Sequence, residues 1–316
     1  MRTLYIHIGN LKTGTTAIQE FCNNSRGLLK KHGYCYPRSE GGYQASHHRL
    51  ALALHAEHKG TVPIWYKDNV SFSQCMKEYL AEIEQSDRQH VILSCEAFSR
   101  LFNLNDPLVA IQQLVDGFSG FHIKVICYIR EPLSMARSLY NQSLKEDRVA
   151  AMKMFTDWFY ALDKNILLLH ETLPWWGSVI GSENVIVRPY IKNGTEHIND
   201  FLNSVGLPNL CDGKKSNEVI NQKVDDDELE RKRVGEVFEF VPQTEWGSYL
   251  SSLVLTDRCK WNSLHRIIDN INKSYSEFHL KHFPDIEYQP FGVFDIISHN
   301  ERITRLVEPV KRCKEG

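Results

Sequence analysis

The run Lys12-Thr13-Gly14-Thr15-Thr16 concentrates anion-binding chemistry into five residues. Lys12 brings a full positive charge. Gly14 and the earlier Gly9 permit backbone conformations that a side chain forbids, and Thr15 or Thr16 can cap the helix that follows. A glycine turn entering a helix directs several backbone N–H groups and the positive end of the helix dipole at one point. The natural occupant of such a cradle is phosphate or sulfate. Glu96, at the end of an apolar run, and the adjacent His47 and His48 are candidate proton acceptors. Partial burial would raise the pKa of Glu96 and improve it as a base. The same carboxylate could instead cap a helix or form a salt bridge, and His48 could be a hydrated surface histidine.

Gly9 and Gly14 have the spacing of the Walker A pattern, Gly-x-x-x-x-Gly-Lys-Ser/Thr, but Thr15 stands where the lysine belongs and Lys12 lies two residues before Gly14. The pattern fails at its charged residue. What remains, Lys-Thr-Gly-Thr-Thr between a strand and a helix, resembles the 5′-phosphosulfate loop of sulfotransferases that use 3′-phosphoadenosine 5′-phosphosulfate (PAPS). The wider stretch from His7 to Gln19 is similar to the bacterial and carbohydrate-type members. Tyr128-Ile129-Arg130-Glu131-Pro132, with Ser138 eight residues after the arginine, resembles the family's 3′-phosphate site. The likeness continues through Trp176, Gly181, Arg188-Pro189-Tyr190 and Asp200-Phe201-Leu202, and covers roughly residues 3 to 210.

The resemblance implies that Lys12, Thr13, Gly14, Thr15, Thr16, Arg130 and Ser138 bind PAPS, with Lys12 at the leaving oxygen. It implies release of 3′-phosphoadenosine 5′-phosphate (PAP), Glu96 or His48 as catalytic base, a small-molecule or carbohydrate acceptor, and no metal. No His, Cys or Asp group shows a metal-ligand spacing such as His-x-x-x-His. Arg49, Lys59 and Lys67 could bind an anionic acceptor, and Tyr43, Trp65 and Tyr66 could stack on a sugar or simply pack their segment; Trp175-Trp176 reads as core. Two alternatives stay open. One is a P-loop NTP-dependent small-molecule kinase, disfavoured by the misplaced lysine; the other is a non-catalytic nucleotide-binding module in which Lys12 and Glu96 are idle.

Strands must deliver these residues to one edge. Leu4–Ile8, His90–Cys95, Ile123–Ile129 and Asn184–Arg188 are short and apolar, as buried parallel strands are. Helical spacing is expected over Ala17–Leu29, near His47–Glu57, and over Cys75–Ser86, Asp106–Phe118, Pro132–Lys145 and Ala151–Trp176. The expectation is an α/β fold, a three-layer, open, mainly parallel sheet flanked by helices as in P-loop NTPase-like sulfotransferases. It would form a single domain over 1–316, with a substrate-facing insertion at 33–74 and a helical part from about residue 195. That part comprises Glu196–Val205, Asp225–Phe240, Trp261–His282 and Asn300–Lys311, with the acidic run at 225–228 a solvated helix start.

At 316 residues with 42% hydrophobic and 24% charged, the composition is globular, and a net charge of −2 argues against a non-specific nucleic-acid binder. No run reaches the ~18 apolar residues of a membrane span. With the first strand three residues after Met1 and no Cys-x-x-Cys among eight cysteines, the expectation is a cytoplasmic protein with reduced, structural thiols.

Overall fold

A computed structural model describes residues 1–38, 45–60, 62–63, 66, 70–146, 155–208, 210 and 258–296. The chain divides into two compact units, Met1–Arg130 with Leu169–Ile220, and Glu131–Leu168 with Asn221–Gly316.

The first unit holds a five-stranded sheet in the order β2-β3-β1-β4-β5, every neighbouring pair parallel. Its strands are β1 (Arg2–His7), β2 (Tyr34–Cys35), β3 (His90–Ser94), β4 (Phe121–Ile129) and β5 (Val185–Pro189). Both sheet faces are buried. Tyr5, Ile92, Ile126 and Tyr128 pack in one cluster with Ile18, Cys22, Phe201 and Leu202. The alternating Leu4, Ile6, Val91, Leu93 and Val125 are fully buried as well, which the period of two in a strand assigns to the opposite face. That is why these strands read as continuous apolar runs.

Ile18, Cys22 and Leu29 of this cluster come from α1 (Thr15–Asn24) and α2 (Arg26–Lys31), so the helix expected over Ala17–Leu29 is broken at Ser25. The segment expected to be an insertion contributes β2, too short for a periodicity to register, followed by α3 (His48–Glu57) and α4 (Phe72–Ser86), which pack on each other. Ser71 caps α4 and Asp106 caps α5 (Pro107–Gly117), each accepting a backbone N–H.

In the second unit, α6 (Pro132–Glu146) begins under Glu131, whose carboxylate oxygens accept from Leu133 N and Ser134 N, each at 2.7 Å. The helical material expected over Ala151–Trp176 is present in its described residues as several short pieces rather than one helix. α7 (Phe155–Ala161) ends before a 3-10 turn at Lys164–Ile166, started by Asp163 accepting from Asn165 N. A new helix in the first unit, α8 (Leu173–Ile180), carries Pro174 in its first turn and ends at Gly181. It packs on α5, β4 and β5, and buries Trp176 completely, as expected of core. The first unit closes with α9 (Gly194–Ser204), capped by Asn193, and the second contains α10 (Arg258–His282).

The helical tendency expected from about residue 195 is met by α9 and α10; the helices expected over 225–240 and 300–311 lie outside the described residues. Among those described, no helix is long and apolar enough to cross a membrane. Cys22, Cys35, Cys75, Cys95 and Cys127 are buried free thiols.

Candidate functional site

Because all strands run parallel, the chain leaves β1, β3 and β4 at one edge of the sheet. β1 lies between β3 and β4, so the connection from β3 to β4 crosses over it. Ligands of open α/β sheets sit at such a reversal, beyond the carboxyl ends of the strands. The residues there are the loop 8–14 after β1, Cys95 and Glu96 after β3, and Arg130 after β4.

The loop is shaped by three left-handed residues, Gly9 (φ 52°), Lys12 (φ 62°) and Gly14 (φ 74°). Both glycines are enforced by neighbours as well as by φ. A Cβ on Gly9 would stand 2.7 Å from Thr15 Oγ1, and one on Gly14 would stand 2.8 Å from His197 Cδ2 and 2.9 Å from its Nε2. The left-handed conformation costs a residue such as Lys12 about 1–2 kcal/mol. Arg130 Nη1 donates to the Lys12 carbonyl at 2.9 Å, a bond that ties the loop to the end of β4.

Thr13 is fully buried; its hydroxyl donates to the Asn10 carbonyl at 2.7 Å and accepts from Asn10 N at 3.1 Å. Thr15 donates to the same carbonyl at 3.3 Å. Neither Thr15 nor Thr16 caps α1, contrary to expectation: the threonines are the first residues of the helix, Gly14 is the N-cap, and no side chain bonds there. α4, α5 and α9 each receive a side-chain cap, whereas α1 starts without one at the middle of the sheet edge. An anion there would meet the first-turn N–H groups directly.

Glu96 faces this loop, with its Cα 3.6 Å from the position of a Cβ on Gly9. The Cys95 N–H continues the β1–β3 ladder by donating to His7 O at 3.0 Å, which fixes the height of Glu96 above the sheet. The two residues expected to compete as base are partners: His48 Nε2 and Glu96 Oε1 are 3.2 Å apart, and the other carboxylate oxygen accepts from Gln19 Nε2 at 3.2 Å. Their side chains are 18% and 27% exposed, so both are open to a bound molecule, and His48 is no hydrated surface residue. Burial raises the Glu96 pKa, but His48 and Gln19 outweigh it and hold the carboxyl well below the usual range. Burial lowers that of His48, and neighbouring Cys95 and Glu96 reverse this and raise it. The expectation that burial would raise Glu96 is thus overturned by its partners. Glu96 is an ionised, oriented carboxylate, and His48 shares its charge-assisted bond.

His47 is structural. Its backbone N–H donates to Ser94 O at 3.0 Å, its Nδ1 accepts from Ser94 N at 2.9 Å, and its Nε2 bonds Pro37 O at 3.2 Å, so it clamps the start of α3 to the end of β3. Arg49, a candidate acceptor-binding residue, is buried and ion-paired with Glu78. Tyr66 is buried and its hydroxyl donates to Arg49 O at 3.3 Å, so it packs. Lys59 is exposed after α3; Tyr43, Trp65 and Lys67 lie outside the described residues.

Arg130 is half-buried, with its guanidinium carbon 5.1 Å from the centroid of the Tyr190 ring. Ser138, the expected companion of Arg130, lies two turns into α6 in the second unit and is half-buried. The first unit thus gathers Lys12–Thr16, Glu96, His48 and Arg130, and Ser138 is not among them.

Sequence reasoning missed the floor of the loop. His197, from the first turn of α9, is 1% exposed and packs edge-on to Tyr128 at 4.3 Å and to Tyr190 at 5.4 Å. Neither of its ring nitrogens makes a well-formed hydrogen bond among the described residues. Burial lowers its pKa to about 4 against the raising influence of the Thr13 backbone and Asp200. His7, fully buried beside it, bonds Ser94 Oγ through Nδ1 at 2.8 Å, and burial together with His197 lowers its pKa to about 3. Asp200 accepts from the Tyr128 hydroxyl at 2.7 Å and from Arg188 Nε at 3.0 Å, which fixes Tyr128 and the α9 backbone beneath the loop. Nothing in the spacing of His197 marks it.

No family model and no curated protein matches the chain. Among solved structures, the crystal structure of a sulfotransferase from Alicyclobacillus acidocaldarius superposes at TM-score 0.43 and 15% identity, covering 83% of this chain and 99% of that one.

Proposed function

We propose that the chain is a sulfotransferase that moves a sulfuryl group from PAPS to an acceptor hydroxyl of a carbohydrate or glycosylated metabolite, with release of PAP. The observation that supports this reading is the bond from Arg130 to the Lys12 carbonyl, which ties the arginine of the second phosphate-type motif to the loop that carries the first. The tight backbone at Gly9 and Gly14 and the uncapped start of α1 suit a tetrahedral anion.

PAPS would supply the activated sulfuryl group. Backbone N–H groups from Thr13 to Thr16 would hold its phosphosulfate end, and Arg130 would take the 3′-phosphate, to which the sequence resemblance adds Ser138. Glu96 accepts the proton of the acceptor hydroxyl as the new S–O bond forms, with Gln19 and His48 fixing its orientation. Lys12 balances the charge left on the bridging oxygen when the old S–O bond breaks.

Calorimetric titration with PAP and, separately, with ATP and Mg2+ tests the assignment. Tight PAP binding is expected. Binding of ATP–Mg with none for PAP would refute the sulfotransferase reading in favour of a kinase.

A further inference from the structure

Glu96 and His48 belong to a second arrangement that no spacing in the sequence shows, because its members come from two segments far apart in the chain. Cys95 lies between β3 and Glu96, and its Sγ, a ring nitrogen of His48 and a carboxylate oxygen of Glu96 all lie within 4.8 Å of one another. We propose that these three side chains form a binding site for Zn2+ or a similar thiophilic divalent transition metal, and that an ion seated there blocks proton transfer at Glu96.

The donor set is sulfur, imidazole nitrogen and carboxylate oxygen, which are zinc's three ligand types, and three protein ligands leave a fourth tetrahedral position for water. Oxygen-seeking Mg2+ and Ca2+ do not match it. Donors at zinc bond lengths of 2.0–2.3 Å stand roughly 3.5 Å apart around a tetrahedral ion. The cluster therefore closes onto an ion through side-chain shifts of about 1 Å.

Each ligand already has the outer partner that metal ligands use. Ser46 Oγ is hydrogen-bonded to His48 Nδ1, which leaves Nε2 as the ligating atom. Gln19 occupies Glu96 Oε2 at 3.2 Å and leaves Oε1. The Ala97 N–H donates to Cys95 Sγ at 3.4 Å and holds the sulfur in place beside Glu96. The backbone is fixed as well, since the His47 clamp joins the start of α3 to Ser94 while Cys95 N–H is bonded to β1. Cys95 has no solvent exposure, whereas the two other side chains form a partly open side through which an ion can enter.

The inhibitory half of this proposal rests on the base role assigned to Glu96; the binding half does not. The test uses the full chain, stripped with a chelator and titrated with Co2+ and with Zn2+ against a chromophoric competitor. One equivalent of Co2+ should produce a thiolate-to-cobalt charge-transfer band and intense tetrahedral visible bands. Cys95→Ser should abolish the charge-transfer band and weaken Zn2+ binding by 100-fold or more, His48→Gln should weaken it comparably, and Ser46→Ala by about 10-fold. Cys127→Ser, a buried thiol elsewhere in β4, should change nothing, and excess Mg2+ should not compete.

Absence of the band, a band that survives in Cys95→Ser, or Zn2+ affinity unchanged in His48→Gln overturns the site. Zn2+ should also inhibit sulfuryl transfer at the concentration where it binds, reversibly by chelator; uninhibited transfer by the loaded protein overturns the blocking half. A protein that shows the cobalt band but binds no PAP retains the metal site and loses the sulfotransferase assignment, and the converse result separates them the other way.

Discussion

Gly14→Ala tests whether the loop is held by its floor. The substitution meets two independent penalties. At φ 74° an alanine occupies the left-handed region, at about 1–2 kcal/mol. Its Cβ would also lie 2.8 and 2.9 Å from the His197 ring and 3.3 Å from Tyr190. That ring is 1% exposed and wedged between two tyrosines, so it has little room to yield, and overpacking of this kind costs about 1–3 kcal/mol. The expected loss is about 2–5 kcal/mol in urea unfolding followed by near-ultraviolet circular dichroism, together with weakened PAP binding. Removing the ring should return the steric part and leave the backbone part. In the cycle of Gly14→Ala, His197→Ala and the double variant, the coupling should therefore be favourable by about 1–3 kcal/mol. A coupling within about 0.5 kcal/mol of zero would refute the contact, because independent sites add to that accuracy.

Other measurements probe the remaining parts of the site. Glu96→Gln should keep PAP affinity while lowering transfer by roughly 10²-fold or more; near-normal turnover would move the base role to another group. Arg130→Ala should weaken PAP far more than adenosine 5′-phosphosulfate, which lacks the 3′-phosphate, and equal losses would remove that assignment. His7 and His197 are held neutral below their ordinary 6.5, at about 3 and about 4. The unfolded chain therefore takes up protons first as the pH falls, so their contribution is complete above pH 6.5 and is lost from there down towards about 4 for His197 and about 3 for His7. At 1.36 kcal/mol per unit, His197 alone accounts for about 3 kcal/mol of lost stability across that window. A urea midpoint that is no more sensitive to pH in the parent chain than in His197→Phe would contradict this.

The sheet was legible where its strands are buried on both faces. β1, β3 and β4 read directly as apolar runs, and their parallel order follows from alternation with helices. β2 was not legible, because two residues establish no period and only the pairing of Tyr34 with His90 and Cys35 with Val91 makes them a strand. The break at Ser25 and the fragmentation near Asp163 are decisions of local hydrogen bonding that apolar spacing does not register. Pro174, in contrast, announces a helix start by its side chain alone. The turn after β1 was legible for a related reason: Gly9 and Gly14 act through their own backbone, at φ 52° and 74°, so their meaning travels with the sequence.

Contacts between distant segments are what the sequence could not convey, and they change the chemistry most. Glu96 and His48 read as rivals because each, alone, is a plausible base. In the fold, the His47 clamp brings them within 3.2 Å, and their electrostatics become a shared property. Gln19 then decides how that pair is oriented: by holding one carboxylate oxygen it leaves the other to His48, and the same division of partners prepares Glu96 Oε1 and His48 Nε2 for a metal beside Cys95. A carboxylate placed to take a proton from an acceptor is, by the same lone pairs, placed to take a cation. On the two proposals made above, deprotonating a sulfuryl acceptor and binding zinc would be competing uses of one geometry, and the free metal concentration relative to the affinity of the cluster would decide between them.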